Sequence, residues 1–566
     1  MMKAEHTAEL DAKIALLRSN RQRWLEIPLR RKIEYLQSVI DGTARVATEQ
    51  VATTVRAQGL DFDSAVAGEA WLSGPYTQLR VVRLLMESLK QIDRNGRVSI
   101  PSSSLRRLDD GHLAVKVFPL RRFDRLLFQG YRAEVWMQPE VTAENLAAHI
   151  GALYRRPPSA GKLALVLAAG NVASIAPLDT IHKLFLEGHV TLLKFNPVND
   201  YLAPFVEEAF AALIADGFLA TALGDAETGQ YLCHHSGIDE VHITGSQATH
   251  NLIVFGPGSE GDERRARNHP LLQKRITSEL GNVSPIILVP GRWSSGDLRY
   301  HAENIATQMT QNGGFNCNAT KVLILSEDWP QREDFLAELR RVLLSLPPRP
   351  AYYPGAESRY ERFLEAYPGA EILGAKKAGS IPPTLITDLR AEPNDQLAFA
   401  TESFCAIAGI LSLGGGSTPD FLGRTVKFCN ETLAGTLNAG LIIDSKTRRA
   451  EPEAFQQAVA ALRYGTVAIN QWPAVGYTLG CTPWGAFPGH SIDDIGSGIG
   501  FVHNTLLFDR PLKTVIYGPF RTALPPKPPW FVTHRNAHRA ARSMVRLEAN
   551  PSFLLFPKIL IHSFRG

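Results

Sequence analysis

The chain has 566 residues, 45% hydrophobic and 20% charged, with 60 basic and 56 acidic side chains. This composition excludes a disordered chain, a collagen-like repeat and a small disulfide-stapled module, and the length suggests about three domains. Five cysteines (Cys233, Cys317, Cys405, Cys429, Cys481) are too scattered for a disulfide framework or a Cys-x-x-Cys zinc site, and suggest a reducing compartment, the cytoplasm.

The charge is unevenly spread. Residues 511–566 hold nine Lys and Arg against a single acid, Glu548, so the tail is basic and the remaining chain mildly acidic. That balance argues against a nucleic-acid-binding surface. Residues 1–24 are charged throughout and lack the apolar centre of a signal peptide. The most apolar stretch, residues 163–178, is interrupted by Gly170-Asn171 and falls short of a membrane span, so a soluble protein is expected.

In chain order, residues 6–89 read as helical: Leu10, Ile14, Leu17 and then Trp24, Ile33, Leu36 and Ile40 recur at helical spacing. Gly59 and Gly74-Pro75 punctuate the run. Residues 97–140 turn to short β-rich pieces, a sheet or a protruding arm. From residue 161 strands and helices alternate: strands at 162–169, 190–195 and 240–244, helices at 178–187 and 201–216 and another after Ser246. This alternation implies a parallel sheet with right-handed crossovers, whose carboxyl edge can hold a dinucleotide. No G-x-G-x-x-G follows any of these strands. A second alternating stretch covers residues 284–470, with strands at 285–289, 321–325, 383–389, 406–413, 440–443 and 465–470 and helices at 333–344 and 453–462. Residues 514–517 suggest a late strand, followed by the Pro-rich break Pro525-Pro526-Lys527-Pro528-Pro529 and the basic tail.

The stretch Gln311-Asn-Gly-Gly-Phe-Asn-Cys-Asn-Ala-Thr-Lys321 places Cys317 on a Gly- and Asn-rich loop between a helix and an apolar strand. Backbone N–H groups around such a cysteine favour the thiolate, although an inert, half-buried cysteine is the commoner outcome. Glu279, just before a Gly-Asn turn, can be a general base if burial raises its pKa, although a surface or capping role is the commoner outcome. Asn171, after the first parallel strand, can donate to an oxyanion or simply form a turn.

Taken in order, Gly170-Asn171, Lys194, Thr244-Gly-Ser246, Glu279-Leu-Gly281, Cys317 and Glu402-Ser-Phe404 resemble the aldehyde dehydrogenase superfamily. Gly465-Thr-Val-Ala-Ile-Asn470, Pro483-Trp-Gly485 and Lys513-Thr-Val515 extend the resemblance, which covers residues 10–520. It implies an α/β fold with a Rossmann-like cofactor domain (1–126 and 159–280), an α/β catalytic domain (281–502) and a β oligomerisation arm (127–158 and 503–520). Residues 521–566 form a C-terminal extension. It also implies Cys317 as nucleophile, Asn171 as oxyanion donor and Glu279 as the base that activates water. Lys194, Gly245, Ser246, Glu402 and Phe404 would hold NAD or NADP, with no metal. A homodimer or homotetramer joined through residues 127–140 and 508–520 is a further implication.

Several positions depart from the family pattern. Pro197 stands where the family often has a ribose-binding Glu, which makes NADP admissible beside NAD. Asn282 replaces a Gly, Phe315-Asn316 replace Gly-Gln, Cys405-Ala406 replace Gly-Pro, and His250 takes the place of a Gly. The bulk of Phe315, Trp472, Trp484 and Phe487 in tunnel-lining segments suggests an apolar or aromatic aldehyde, and core packing explains those residues equally well. Two other functions fit the same residues: acyl-CoA-linked dehydrogenase or reductase chemistry, and a non-catalytic binding protein of this fold. Cys233 with His234-His235 lacks further spaced ligands for a metal. Arg535, Arg539, Arg542 and Arg546 mark a basic helix face, followed by an apolar stretch at 553–561. Such a tail can lie on an anionic membrane, cap the tunnel or pack on a neighbouring subunit; packing is favoured because an exposed apolar run invites aggregation.

Overall fold

The computed structural model describes residues 3–393, 396–523 and 527–566. Of the Pro-rich break, Pro525 and Pro526 lie outside the described residues. The chain opens with three long helices, Ala4–Glu26, Leu29–Ala57 and Thr77–Asn95. The first buries Leu10, Ile14, Leu17 and Trp24 on one face, as their spacing requires. The Trp24 indole N–H donates to the Leu184 carbonyl at 2.9 Å, fastening this helix to the unit that follows.

Two sheets carry the rest. The first has six strands in the order Gly498–Ile499, Arg275–Leu280, Glu240–Gly245, Leu163–Leu167, Val190–Lys194 and Leu219–Ala222. Its five long strands are parallel, and the order reverses at Leu163–Leu167, so Gly170-Asn171 emerge where such sheets leave a crevice. The strand Leu219–Ala222 escapes the sequence pattern because it is four residues long and half alanine.

The second sheet has eleven strands. Seven run parallel: Pro511–Tyr517, Thr466–Ile469, Asn438–Ile442, Ser284–Leu288, Thr320–Ser326, Ile407–Leu413 and Thr384–Leu389. Arg132–Met137, Leu113–Phe118 and Leu105–Arg107 add antiparallel strands at one edge, with Ile516 opposite Ala133. The strands within 127–140 and 508–520 therefore pair with each other and continue the sheet of their own chain. Lys513 also donates to the carbonyls of Val459, Ala460 and Leu462, closing the end of the helix Pro452–Ala461.

The two sheets are joined almost directly. Arg275–Leu280 ends the first and Ser284–Leu288 begins in the second after only Gly281, Asn282 and Val283. The carboxyl edge of one sheet thus faces the amino edge of the other across a seam. In the tail, the helix Ala537–Ala549 buries Ala540, Ala541, Met544, Val545 and Leu547 against Ala67–Trp71 and Thr77–Asn95, while Arg539, Arg542 and Arg546 stay exposed. The helix Phe556–Phe564 folds back on it. No helix among the described residues is long and apolar enough to cross a membrane.

Candidate active site at the seam between the sheets

Cys317 is delivered by a helix and a tight turn. The helix Ser295–Thr310 begins with a reciprocal cap: the Ser294 hydroxyl accepts from the Asp297 N–H at 3.2 Å, and Asp297 accepts from the Ser294 N–H at 2.9 Å. Beyond its end, Asn312, Gly313 and Gly314 all take positive φ, and a Cβ on Gly314 would lie 2.5 Å from the Cys405 carbonyl carbon. The backbone therefore reverses there and brings Cys317 to the seam just ahead of Thr320–Ser326.

Asn171 and Glu279 meet it. Asn171 is 8% exposed, and its amide donates to the Phe315 carbonyl at 3.0 Å, two residues from the cysteine. That contact uses one of its two N–H groups. Asn312 returns a bond to the Asn171 carbonyl at 2.9 Å, so the two loops are locked together. Glu279, at the end of its strand, is 3% exposed; Trp484 donates its indole N–H to Oε1 at 3.2 Å, and the carboxyl and the Cys317 thiol line the same cavity. Burial, with the negative charges of Asp179 and Glu402 nearby, pushes Glu279 up to about 8. The Cys317 thiol is pushed well up by burial and by the carboxylates of Glu279 and Glu402, and its own backbone N–H opposes the shift.

Glu402 and Phe404 border this site. The Glu402 carboxylate lies so near Gly281 that a Cβ there would sit 1.9 Å from Oε2. Burial raises Glu402 to about 7, although Lys321 and Arg359 pull it down, and no described residue donates to its Oε1. Phe404 holds a φ of 43°, unusual for a bulky side chain, and packs on Phe315 and Tyr353 with ring centroids 6.1 and 5.0 Å away. Lys321 ties this loop to the cysteine loop, donating to the Cys405 carbonyl at 2.8 Å and to that of Gly314 at 3.4 Å.

Lys194, Gly245 and Ser246 stand apart from Cys317, along the carboxyl edge of the six-stranded sheet. Lys194 is buried, which lowers its pKa, while Asp225, Cys233 and Asp200 act the other way. Ser246 caps Gln247–Phe255 by accepting from the Thr249 N–H at 3.1 Å. Cys233 is fully buried and pushed up to about 12, and His235 pairs with Asp11. Glu187, His189 and Glu240 come close enough to suggest a metal cluster, but the Lys183 ammonium lies 2.8 and 2.9 Å from the two carboxylates and takes the cation's place.

A narrow cavity of about 80 Å³ is lined by Cys317, Glu279, Asn171 and Asn316, by Val172, Ile175, Trp472, Val475 and Leu479, and by Leu72, Tyr76, Phe128, Trp530 and Met544. Of the aromatic residues expected along it, Trp472 lines it, Trp484 reaches it through Glu279, and Phe315 packs beside Asn171. Phe487 does not: it lines a separate pocket with Gln138 and His490, because the turn after Gly485 carries it away from the seam. Sequence reasoning left Asp179, Tyr76, Trp530 and Met544 without a role. The buried Asp179 accepts from Thr244 at 2.8 Å and lies 3.4 Å from His242. Their only signal was polarity or bulk inside apolar segments.

Among known proteins, the model of the aldehyde dehydrogenase family matches residues 141–351. The chain is 26% identical over 276 residues to coniferyl aldehyde dehydrogenase of Pseudomonas sp. (strain HR199 / DSM 7063), covering 45% of this chain and 53% of that protein. It is 26% identical over 308 residues to human 4-trimethylaminobutyraldehyde dehydrogenase, covering 50% and 56%. The chain thus spans about half the length of these curated relatives. Its fold matches an NAD-dependent aldehyde dehydrogenase from Sinorhizobium meliloti with a TM-score of 0.60 at 17% identity, over 91% of this chain and 88% of that one. A Mycobacterium tuberculosis aldehyde dehydrogenase complexed with NAD+ matches at 0.58 and 16%, over 89% and 88%. The family model over residues 141–351, the curated relatives and the fold agree, and the chain is similar to the aldehyde dehydrogenase superfamily.

Proposed function

We propose that this chain oxidises an aldehyde to a carboxylic acid, with NAD or NADP as acceptor, through a covalent intermediate on Cys317. The observation that carries the reading is the convergence of Cys317, Glu279 and Asn171 on one cavity at the seam between the sheets. Ionised Glu279 takes the thiol proton as sulfur attacks the carbonyl carbon. The oxyanion formed is held by the second Asn171 N–H and the Cys317 backbone N–H.

The nicotinamide cofactor, when bound, accepts the hydride that turns the thiohemiacetal into a thioester. The residues present suit it: Glu402 offers an unpartnered carboxylate oxygen to a ribose hydroxyl, and Gly281 leaves room for that carboxylate. Phe404 borders the ring site. Lys194 and the helix start at Gly245-Ser246 suit the adenosine ribose and the phosphates. Glu279, oriented by Trp484, then takes a proton from the water that attacks the thioester, and the acid leaves.

The lining supports an apolar or aromatic substrate, since it holds Leu, Ile, Val, Phe and Trp side chains and no Lys, Arg or His. Glu279 beside Cys317 favours water over coenzyme A as the acyl acceptor. The test is NAD(P)H formation across aliphatic and aromatic aldehydes with both cofactors, with and without coenzyme A. Turnover that needs no coenzyme A and disappears in Cys317→Ala is expected. Undiminished turnover in Cys317→Ala would refute the reading.

A further inference from the structure

Exposed apolar bulk and unpaired charge gather in two segments that the proposed function leaves unused. Twelve large hydrophobic side chains are exposed among the described residues, and six of them fall in residues 120–126 and 553–564. They are Leu120, Leu126, Phe553, Leu554, Ile561 and Phe564, with Leu554 89% exposed. The two segments touch: the Phe123 ring of the helix Arg122–Leu127 stands 4.6 Å from that of Phe553. The helix Phe556–Phe564 buries Ile559 and Ser563. The outward stripe of this second segment is Leu554, Pro557, Lys558, Ile561 and Arg565, at helical spacing.

The charge of these segments has one sign. Arg122, Arg125, Lys558 and Arg565 are exposed, and none has an ion-pair partner among the described residues. The acids nearest in sequence, Asp124 and Glu548, are buried and already taken by Arg80 and Arg121. By contrast, the exposed Arg45 reaches Glu208 at 2.8 Å, and the exposed Arg31 reaches Glu34 at 2.8 Å. An apolar face carrying cations and no acid is complementary to an anionic lipid surface: the apolar side chains enter the acyl boundary and the cations meet headgroup phosphates. A second copy fits poorly, because a two-fold contact sets the same cations against one another. Leu554 also projects from the surface, the shape that suits insertion into lipid.

We propose that the helix Arg122–Leu127 and residues 553–565 form one docking face for an anionic lipid membrane. The face stands whether or not the proposed oxidation does. The test is co-sedimentation of the full chain with vesicles of phosphatidylcholine, alone or mixed with phosphatidylglycerol, at low and high salt. Binding to the mixed vesicles that weakens at high salt, with little binding to phosphatidylcholine alone, is expected. Arg125→Gln and Lys558→Gln should each weaken that binding about fivefold. The pair Leu554→Ser with Ile561→Ser should weaken it about tenfold or more. Leu344→Ser, at an exposed site elsewhere, should leave it unchanged. All these positions are exposed, so melting temperatures should stay at the wild-type value. No binding to the mixed vesicles, equal binding to both kinds, or binding that the variants leave intact would overturn the proposal. Dimerisation in sedimentation velocity that Leu554→Ser with Ile561→Ser abolishes would also overturn it, by making a second copy the occupant.

Discussion

At one end of the cavity, Glu279 stands in the strand Arg275–Leu280, and Asn171 and Cys317 stand on short loops next to the strands Leu163–Leu167 and Thr320–Ser326. At the other, Tyr76 and Phe128 from the first quarter of the chain meet Trp530 and Met544 from the tail. The reactive end is ionisable and made of local motifs; the remote end is apolar and made of contacts between distant segments. The difference separates the proposed chemistry from the choice of substrate, and substitutions at the two ends should fail in different ways.

The largest effects belong to the reactive end. Glu279→Gln should lower steady-state kcat by about 10²–10⁴-fold, the usual contribution of a general base. The pH dependence follows from the raised pKa: the carboxylate is the working form and is scarce below about 8, so wild-type activity should climb from pH 7 to pH 9. In Glu279→Gln the part of that rise set by the carboxylate should be lost, leaving only the ionisation of the Cys317 thiol itself. Asn171→Ala should cost about 10²–10³-fold in kcat through loss of one oxyanion donor. A KM effect without a kcat effect would place Asn171 outside the chemistry.

Smaller effects on turnover, with a loss of stability, are expected at the remote end. Glu548 is the one acid of the basic tail, and it holds the helix Ala537–Ala549 against Arg80 and Arg121 in a buried site. Removing one partner of a buried ion pair costs about 3–5 kcal/mol, so Glu548→Ala should lower the melting temperature and free the tail. Arg83→Ala is a milder version, since Arg83 donates to the carbonyls of Glu548 and Ala549 at 2.7 and 2.8 Å. In both variants bulky maleimides should alkylate Cys317 faster than in wild type, while a small reagent should gain less. Equal rates would mean that the tail does not wall the cavity.

The same contrast explains what could be read from the sequence. The alternating strands and helices and the ordered motifs around Asn171, Glu279, Cys317 and Glu402 are local patterns, so one sequence displays them. The tail showed itself only as a charge surplus with one acid; its arginine spacing indicated a helix with a basic face, and the structure places that face outward. Nothing local could show that Glu548 answers Arg80, 468 positions away. Phe487 was assigned to the tunnel by its motif, and the turn after Gly485 carries it elsewhere. Trp530 and Tyr76 offered only bulk in apolar surroundings, which ordinary packing explains as well.

The central claim, a thioester on Cys317 that Glu279 hydrolyses, is tested most directly by rapid mixing of Glu279→Gln with aldehyde and cofactor. The account predicts a burst of one NAD(P)H per site followed by a stall, with an acylated Cys317 visible by mass spectrometry. Steady turnover at the wild-type rate, or a burst with no acyl group on Cys317, would contradict it.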